Sequence, residues 1–150
     1  MEEKYEKYRQ KFLKEKNLPE STEISDVFSF GGDDTADYLL GLVLAGKKRA
    51  TSSARIAYEI ENEELPKIGE YSIVTDGAGE PKCVIADTAV TVFRFCDMTY
   101  DVIREEGEDD CLETWQKTHR EVFTAEGEED GYEFSEEMEI VFEEFEVVYK

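Results

Sequence analysis

Apolar residues in the first third of the chain recur at helical intervals. Between Glu2 and Lys16, Tyr5, Tyr8, Phe12 and Leu13 lie on one face with Lys and Glu between them, which predicts an amphipathic helix packed on the main body. Pro19 and the Glu20-Ser21-Thr22 cluster end it. Phe28-Ser29-Phe30-Gly31-Gly32 predicts a loop with aromatic anchors. Asp33, Asp34 and Thr35 then offer N-cap oxygens to a second helix over Ala36–Ala45, whose leucines and Val43 make it strongly apolar. Gly46 is placed to cap its C-terminus.

Beyond Gly46 the period shortens. Ala50–Ile60 predicts a strand, Glu61–Pro66 a polar turn and Tyr71–Thr75 a second strand. The glycines of Asp76-Gly77-Ala78-Gly79-Glu80 mark a turn. Cys83–Phe95 is a β-branched run long enough for a strand with a bend. Thr99–Glu106 and Leu112–Phe123 predict helices, the latter presenting Leu112, Trp115, His119 and either Val122 or Phe123 on one side. Glu126–Tyr132 predicts an acidic loop, and Met138–Tyr149 a closing strand. This order of elements predicts an α+β fold: a small, mostly antiparallel curved sheet or barrel with helices around it.

A chain of 150 residues with 40% apolar and 12% aromatic side chains makes one folded domain and excludes a disordered chain. It has no apolar run near membrane-spanning length, and Met1–Gln10 is polar, which argues against a membrane anchor or signal peptide. Cys83, Cys96 and Cys111 lack Cys-x-x-Cys spacing and leave one thiol unpaired in any disulfide scheme. Reduced thiols in a cytoplasmic protein are expected. The formal net charge is -21, and residues 97–150 carry 20 acidic against four basic side chains. Such a field repels polyanions, so no DNA duplex is expected as a partner and long RNA is a poor candidate; without an anchor, no membrane is expected either. A small ligand or a short RNA drawn into a cationic pocket remains. The sequence carries no signal for oligomeric state.

Against this charge, Ala45–Tyr58 holds four basic residues and no acidic one. The island supplies Lys47, Ser52, Ser53 and Arg55 as candidate ligand-binding residues. It also places Lys48 three residues before Thr51 across a helix-to-strand junction. A desolvated amine can take a proton from a hydroxyl, which makes Thr51 a candidate nucleophile. Capping of the helix dipole by Lys47 and Lys48 is the alternative. In Glu105-Glu106-Gly107-Glu108-Asp109-Asp110, Gly107 implies a turn that aims Glu108 inward; a solvated loop is the alternative. No second acidic cluster has ligand-like spacing, so neither a metal nor a cofactor is expected. His119, the sole histidine, titrates near neutrality and is either a packed helix residue or a ligand contact. Trp115 is either core or a stacking platform. Walker, Gly-x-Gly-x-x-Gly, His-Glu-x-x-His and Gly-x-Ser-x-Gly motifs are lacking.

The run Ala36–Ser53, an apolar helix followed by Gly46-Lys47-Lys48-Arg49-Ala50-Thr51 as Gly-x-Lys-x-x-Thr, resembles the signature of the ASCH domain family, related to the PUA-like RNA-binding barrels. Glu106–His119 resembles a subgroup pattern of acidic turn, Leu, Trp and His, and Phe142–Tyr149 is similar to the family's last strand. The resemblance implies a PUA-like barrel over 28–150, with the 36–45 helix across one opening, and a helical extension over 1–27. Family members are linked to RNA or modified-nucleoside chemistry. One bacterial branch is an amidohydrolase that removes acetyl from acetylcytidine with a Lys, a Thr and a Glu, and another member is a ribonuclease. Carried onto this chain, the triad falls on Lys48, Thr51 and Glu108. The N-terminal helix, Gly107 and the Trp115/His119 helix depart from that branch. The expected function is a cationic cleft that binds, and hydrolyses an amide on, a modified nucleoside or nucleotide. The alternatives are an RNA-binding or ribonuclease module, and an acidic domain that docks a basic partner. Neither Lys48 nor Thr51 is expected to carry the core.

Overall fold

Alternating β-branched and aromatic residues in the second half of the chain build the centre of a sheet, and apolar helix faces cover it. The structure is a computed structural model that describes residues 1–32 and 34–150. Asp33, one of the expected N-cap residues, lies outside the described residues. In chain order the elements are α1 (Glu3–Lys16), β1 (Ile24–Phe28), α2 (Ala36–Leu44), β2 (Ala50–Ala54), α3 (Arg55–Ile60), β3 (Tyr71–Thr75), β4 (Pro81–Arg94), α4 (Tyr100–Ile103), α5 (Leu112–Asp130) and β5 (Glu139–Tyr149). The strands form one sheet in the order β1-β3-β4-β5-β2. β1 runs parallel to β3 and every other pair is antiparallel.

The fold is α+β as expected, but the barrel is not closed. β1 and β2 are the two edges of the sheet, and no ladder joins them among the described residues. The sheet nevertheless rolls far enough that Phe28 of β1 and Thr51 of β2 line the same cavities. The bend expected in the long strand is a bulge at Thr88, where the β4–β5 register slips between Asp87 and Ala89.

Successive strand residues point to opposite faces, and this parity sorts the helices. Ile73 and Val84 pack with Phe12 and Leu13 of α1. Their neighbours Val74, Cys83 and Ile85 pack with Leu39, Leu40 and Val43 of α2 on the other face. Trp115 and Phe123 of α5 close a third cluster over Ala50, Ala54, Ile140 and Phe142, with Phe95 and Ile103.

Four expected elements differ. The run Ala50–Ile60 is a strand only to Ala54 and then turns into α3, because Tyr58 folds back to bond Ser53 (Oη to Oγ, 2.9 Å). Phe28, expected to open a loop, instead ends a strand, Ile24–Phe28, which begins inside the segment assigned to the N-terminal extension. The expected acidic loop over Glu126–Tyr132 is mostly the last turn of α5, which stops only at Gly131 with φ +95°. Thr35 does not cap α2 with its side chain; its hydroxyl bonds the Gly32 carbonyl instead, at 3.3 Å.

Phe12 is fully buried between Tyr71 and Tyr149, with ring centroids 5.1 and 5.8 Å away. Phe12→Ala should therefore cost about 3–5 kcal/mol in urea unfolding. A loss below about 1 kcal/mol, the scale of a surface substitution, would show that α1 is dispensable to the fold.

Candidate functional site

The site begins at a helix stop. Gly46, at φ +76°, ends α2 in a Schellman turn: its N–H donates to the Val43 carbonyl at 3.0 Å, and the Lys47 N–H to the Leu42 carbonyl at 2.9 Å. The Lys48 N–H joins the same carbonyl at 3.1 Å. This turn leaves Lys47 exposed and drives the Lys48 side chain inward, where it is only 2% exposed. Lys48 Nζ donates to Glu108 Oε2 at 2.7 Å and to the Ala50 carbonyl at 2.8 Å, and lies 4.0 Å from Glu106 Oε1. The Phe30 ring, 5.3 Å away, covers the ammonium. Lys48 is thus a buried, bonded side chain and neither a helix cap nor surface charge, contrary to the expectation that it carries none of the core.

Glu106 and Glu108 reach Lys48 because Gly107 lets the chain lie against residues 47–48. Gly107 has φ +73°, and a Cβ there would stand 2.2 Å from the Lys47 carbonyl oxygen. The Arg49 N–H donates to the Glu105 carbonyl at 2.8 Å and fixes the same contact. Glu106 is 2% exposed. Its Oε2 accepts from Ser52 Oγ and Trp115 Nε1, both at 2.8 Å, and its Oε1 lies 3.5 Å from His119 Nε2. The other imidazole nitrogen, Nδ1, donates to the Trp115 carbonyl at 2.8 Å, and the two rings stack at 4.1 Å. Burial opposes ionisation of Glu106, yet His119, Lys48 and the Ser52 hydroxyl outweigh it and hold the carboxyl below its ordinary range. Burial likewise opposes the imidazolium, and Glu106 outweighs it to raise the His119 pKa.

These groups face a cavity of about 880 Å³ between the β1–α2 connection, α2, β2 and α5. Lys48, Thr51, Ser52, Ser53, Glu108 and His119 all line it, so six of the nine residues singled out in the sequence come together. Three do not. Lys47 points to solvent. Arg55 begins α3 and pairs with Glu139 at 3.0 Å. Trp115 is fully buried behind His119, stacked on Phe95 at 5.3 Å, and so is core rather than a platform for a ligand. The expected cationic cleft is also corrected: Lys48 and His119 are outnumbered on its walls by Glu106, Glu108, Asp109 and Glu126. The basic island is consumed by local pairs, Arg49 with Glu105 at 3.0 Å and Arg55 with Glu139.

Sequence reasoning missed Glu106, although a buried indole N–H requires an acceptor and the preceding acidic turn was the nearest supply. It also missed a second chamber of about 300 Å³ on the concave face of the sheet, which shares Phe28, Thr51 and Ser53 with the first. Asp26, Glu63, Glu64, Glu70, Asp87 and Glu143 line it without a cation among the described residues. Asp87 sits on the strand face of Cys83 and Ile85, and Glu143 on that of Phe145, so their inward parity was the available signal. Burial and the adjoining Asp87 carboxyl push Glu143 up to about 8. Among the described residues, no group of three or more His, Cys, Asp or Glu side chains is arranged to hold a metal ion. Cys83, Cys96 and Cys111 are all free thiols, and among the described residues no helix is long and apolar enough to cross a membrane.

Two outcomes follow from this geometry. Gly107→Ala should cost about 2 kcal/mol or more, since it adds left-handed backbone strain to the clash with Lys47; denaturant titration measures it. The proton on Glu143 gives a pH dependence of known sign. The folded state keeps that proton between the ordinary carboxylate value of 4.5 and about 8, whereas the unfolded state releases it, so stability falls as pH rises through this window. The raised His119 pKa acts in the same direction at its upper end. Glu143→Gln should therefore melt above the parent at pH 8.5 and lose that advantage at pH 5. An equal difference at both pH values would refute the shared proton.

The ASCH domain family model matches residues 26–149. The crystal structure of an ASCH domain from Lactobacillus crispatus superposes with a TM-score of 0.88 at 32% identity, covering 100% of this chain and 97% of that one. A protein from Enterococcus faecalis, EF3133, does so with a TM-score of 0.88 at 32% identity, covering 96% of this chain and 87% of that one. The hypothetical protein PH0355 shares the fold more distantly, with a TM-score of 0.55 at 20% identity over 82% of this chain and 98% of that one. No curated protein matches the chain. With the family model spanning most of the sequence and two solved relatives sharing nearly its whole length, this chain belongs to the ASCH domain family.

Proposed function

We propose that the larger cavity binds a neutral modified nucleoside and hydrolyses an amide on its base. The observation that carries this reading is the Lys48–Glu108 contact, 2.7 Å, on the wall of a cavity that Thr51 also lines. An ammonium held there donates a hydrogen bond to an amide carbonyl and to the oxyanion that forms from it. Thr51 Oγ attacks the carbonyl carbon and its proton passes to Glu108. Glu108 returns that proton to the nitrogen as the C–N bond breaks. Water then cleaves the threonyl ester, so that one water is consumed per acyl group released. The wall charge favours a free, uncharged nucleoside over a nucleotide or an RNA strand, because each phosphate brought in would face four carboxylates against Lys48 and His119.

The test is a panel of N-acylated nucleosides incubated with the protein and followed by mass spectrometry. Deacylation is expected. Thr51→Val should remove most turnover, Lys48→Met likewise, and the double variant should add little, since residues acting as a unit are not additive. Lys48→Met also leaves buried Glu106 short of a partner, at a cost of about 3–5 kcal/mol. The partly exposed Thr51 therefore provides the cleaner variant, and thermal unfolding of both separates the two effects. If no panel member is deacylated and none raises the melting temperature, the reading fails. RNA binding that weakens steeply with salt would favour the RNA module instead.

A further inference from the structure

β2 is an edge strand, and its residues Thr51, Ser52 and Ser53 line the larger cavity. The Phe145 N–H donates to the Arg49 carbonyl at 2.9 Å, and the register sets Ala50 opposite Glu144 without a slip. In an antiparallel ladder the bonded pairs are then Thr51 with Glu143 and Ser53 with Val141. The main-chain groups of Ala50 and Ser52 point the other way. Lys48 Nζ already occupies the Ala50 carbonyl at 2.8 Å. Ser52, which lines the cavity, thus turns both its N–H and its C=O off the ladder, side by side, with no ladder partner among the described residues. Its hydroxyl, bonded to Glu106 at 2.8 Å, fixes the strand at that point.

Resting on the nucleoside reading above, we infer that the main chain of Ser52 reads the hydrogen-bonding edge of the ligand's base. One adjacent donor and acceptor match a ring lactam, as in uracil or guanine, or a ring amidine, as in cytosine or adenine. An extended peptide is a poorer occupant, because strand addition needs several successive free residues and the neighbouring carbonyl is taken. Ser52 and Ala50 are two residues apart, about 7 Å along the strand. A base docked edge-on at Ser52 therefore carries a substituent next to that edge toward Lys48 and Glu108, which are anchored at Ala50. Selectivity among bases then comes from the backbone, while the side chains hold the reacting group.

The experiment is calorimetric titration of the intact protein with uridine, guanosine, cytidine and adenosine, each against a neutral counterpart whose edge donor is methylated away: 3-methyluridine, 1-methylguanosine, N4,N4-dimethylcytidine and N6,N6-dimethyladenosine. The 5-methyl pyrimidines control for added bulk. Any parent that binds should do so about tenfold or more tightly than its edge-methylated counterpart, the scale of an unmade hydrogen bond. The 5-methyl compounds should match their parents. Ser52→Pro removes the N–H from a position that faces away from the ladder, which an edge strand tolerates. It should bind about tenfold more weakly than Ser52→Ala, which lacks the same hydroxyl. The nucleoside series decides the matter if the proline variant does not fold. Binding that ignores edge methylation overturns the reading of Ser52 alone. Absence of binding by all four nucleosides overturns it together with the nucleoside reading.

Discussion

A carboxylate with 2% exposure is the constraint on which this molecule is organised. Burying Glu106 as an anion costs several kcal/mol unless donors and cations surround it. The chain supplies them from three separate stretches: Ser52 from β2, Trp115 and His119 from α5, and Lys48 from the turn after α2. Each donor is in turn fixed by something that leaves it little freedom. Ser52 is locked in register with Phe142. Trp115 is stacked between Phe95 and His119. Lys48 is turned inward by Gly46. The edge strand, the long helix and the acidic turn are therefore joined at one atom group, and the cavity is the space that their junction leaves open.

The electrostatic picture is the reverse of the one that charge counting along the chain suggests. A basic island in an acidic protein reads as a landing site for anions, yet in space its cations are distributed among local carboxylates. What remains is a single ammonium framed by acids, together with a chamber beyond it in which carboxyls share a proton for want of a cation. Such walls disfavour phosphate. They suit a ligand that is uncharged and rich in hydrogen-bonding groups, for which paired charges act as fixed dipoles and not as counter-ions.

Much of this architecture is legible in the sequence wherever a single period persists. α1, α2 and the start of α5 announce themselves by apolar residues at helical spacing, and β3, β4 and β5 by alternation. The illegible parts are those where tertiary contacts override local preference. Arg55–Ile60 is β-branched and aromatic enough for a strand, and becomes a helix because the chain must leave the sheet edge there. Ile24–Phe28 does not alternate, because Ser25-Asp26 interrupts its apolar residues where the register with β3 slips between Ile24 and Asp26. The acids before Asp130 look like loop residues. They continue the helix, and Gly127 lets the chain fold back on its end, since a Cβ there would stand 2.4 Å from the Tyr132 carbonyl oxygen. In the site, Lys48, Thr51 and Glu108 are carried by motif, whereas Glu106 is hidden among five other residues of an acidic turn. Only the packing of Trp115 distinguishes it from its neighbours.

β2 acquires its importance from being short, small in side chain and unpaired on one side. A central strand can offer a ligand only side chains from one face. An edge strand of Ala, Thr, Ser, Ser and Ala offers three surfaces at once. Thr51 and Ser53 line both chambers, Ser52 bonds the buried carboxylate, and the backbone edge of the strand lies outside the ladder. Bulkier residues would fill both chambers, and a closed barrel would bury the edge in a ladder with β1. The gap between β1 and β2 is therefore the feature that leaves the strand's backbone free beside a cavity. It is tolerable because Lys48 satisfies one of the exposed carbonyls and α2 and α5 cover the approach, so that the edge meets a ligand-sized space rather than another chain.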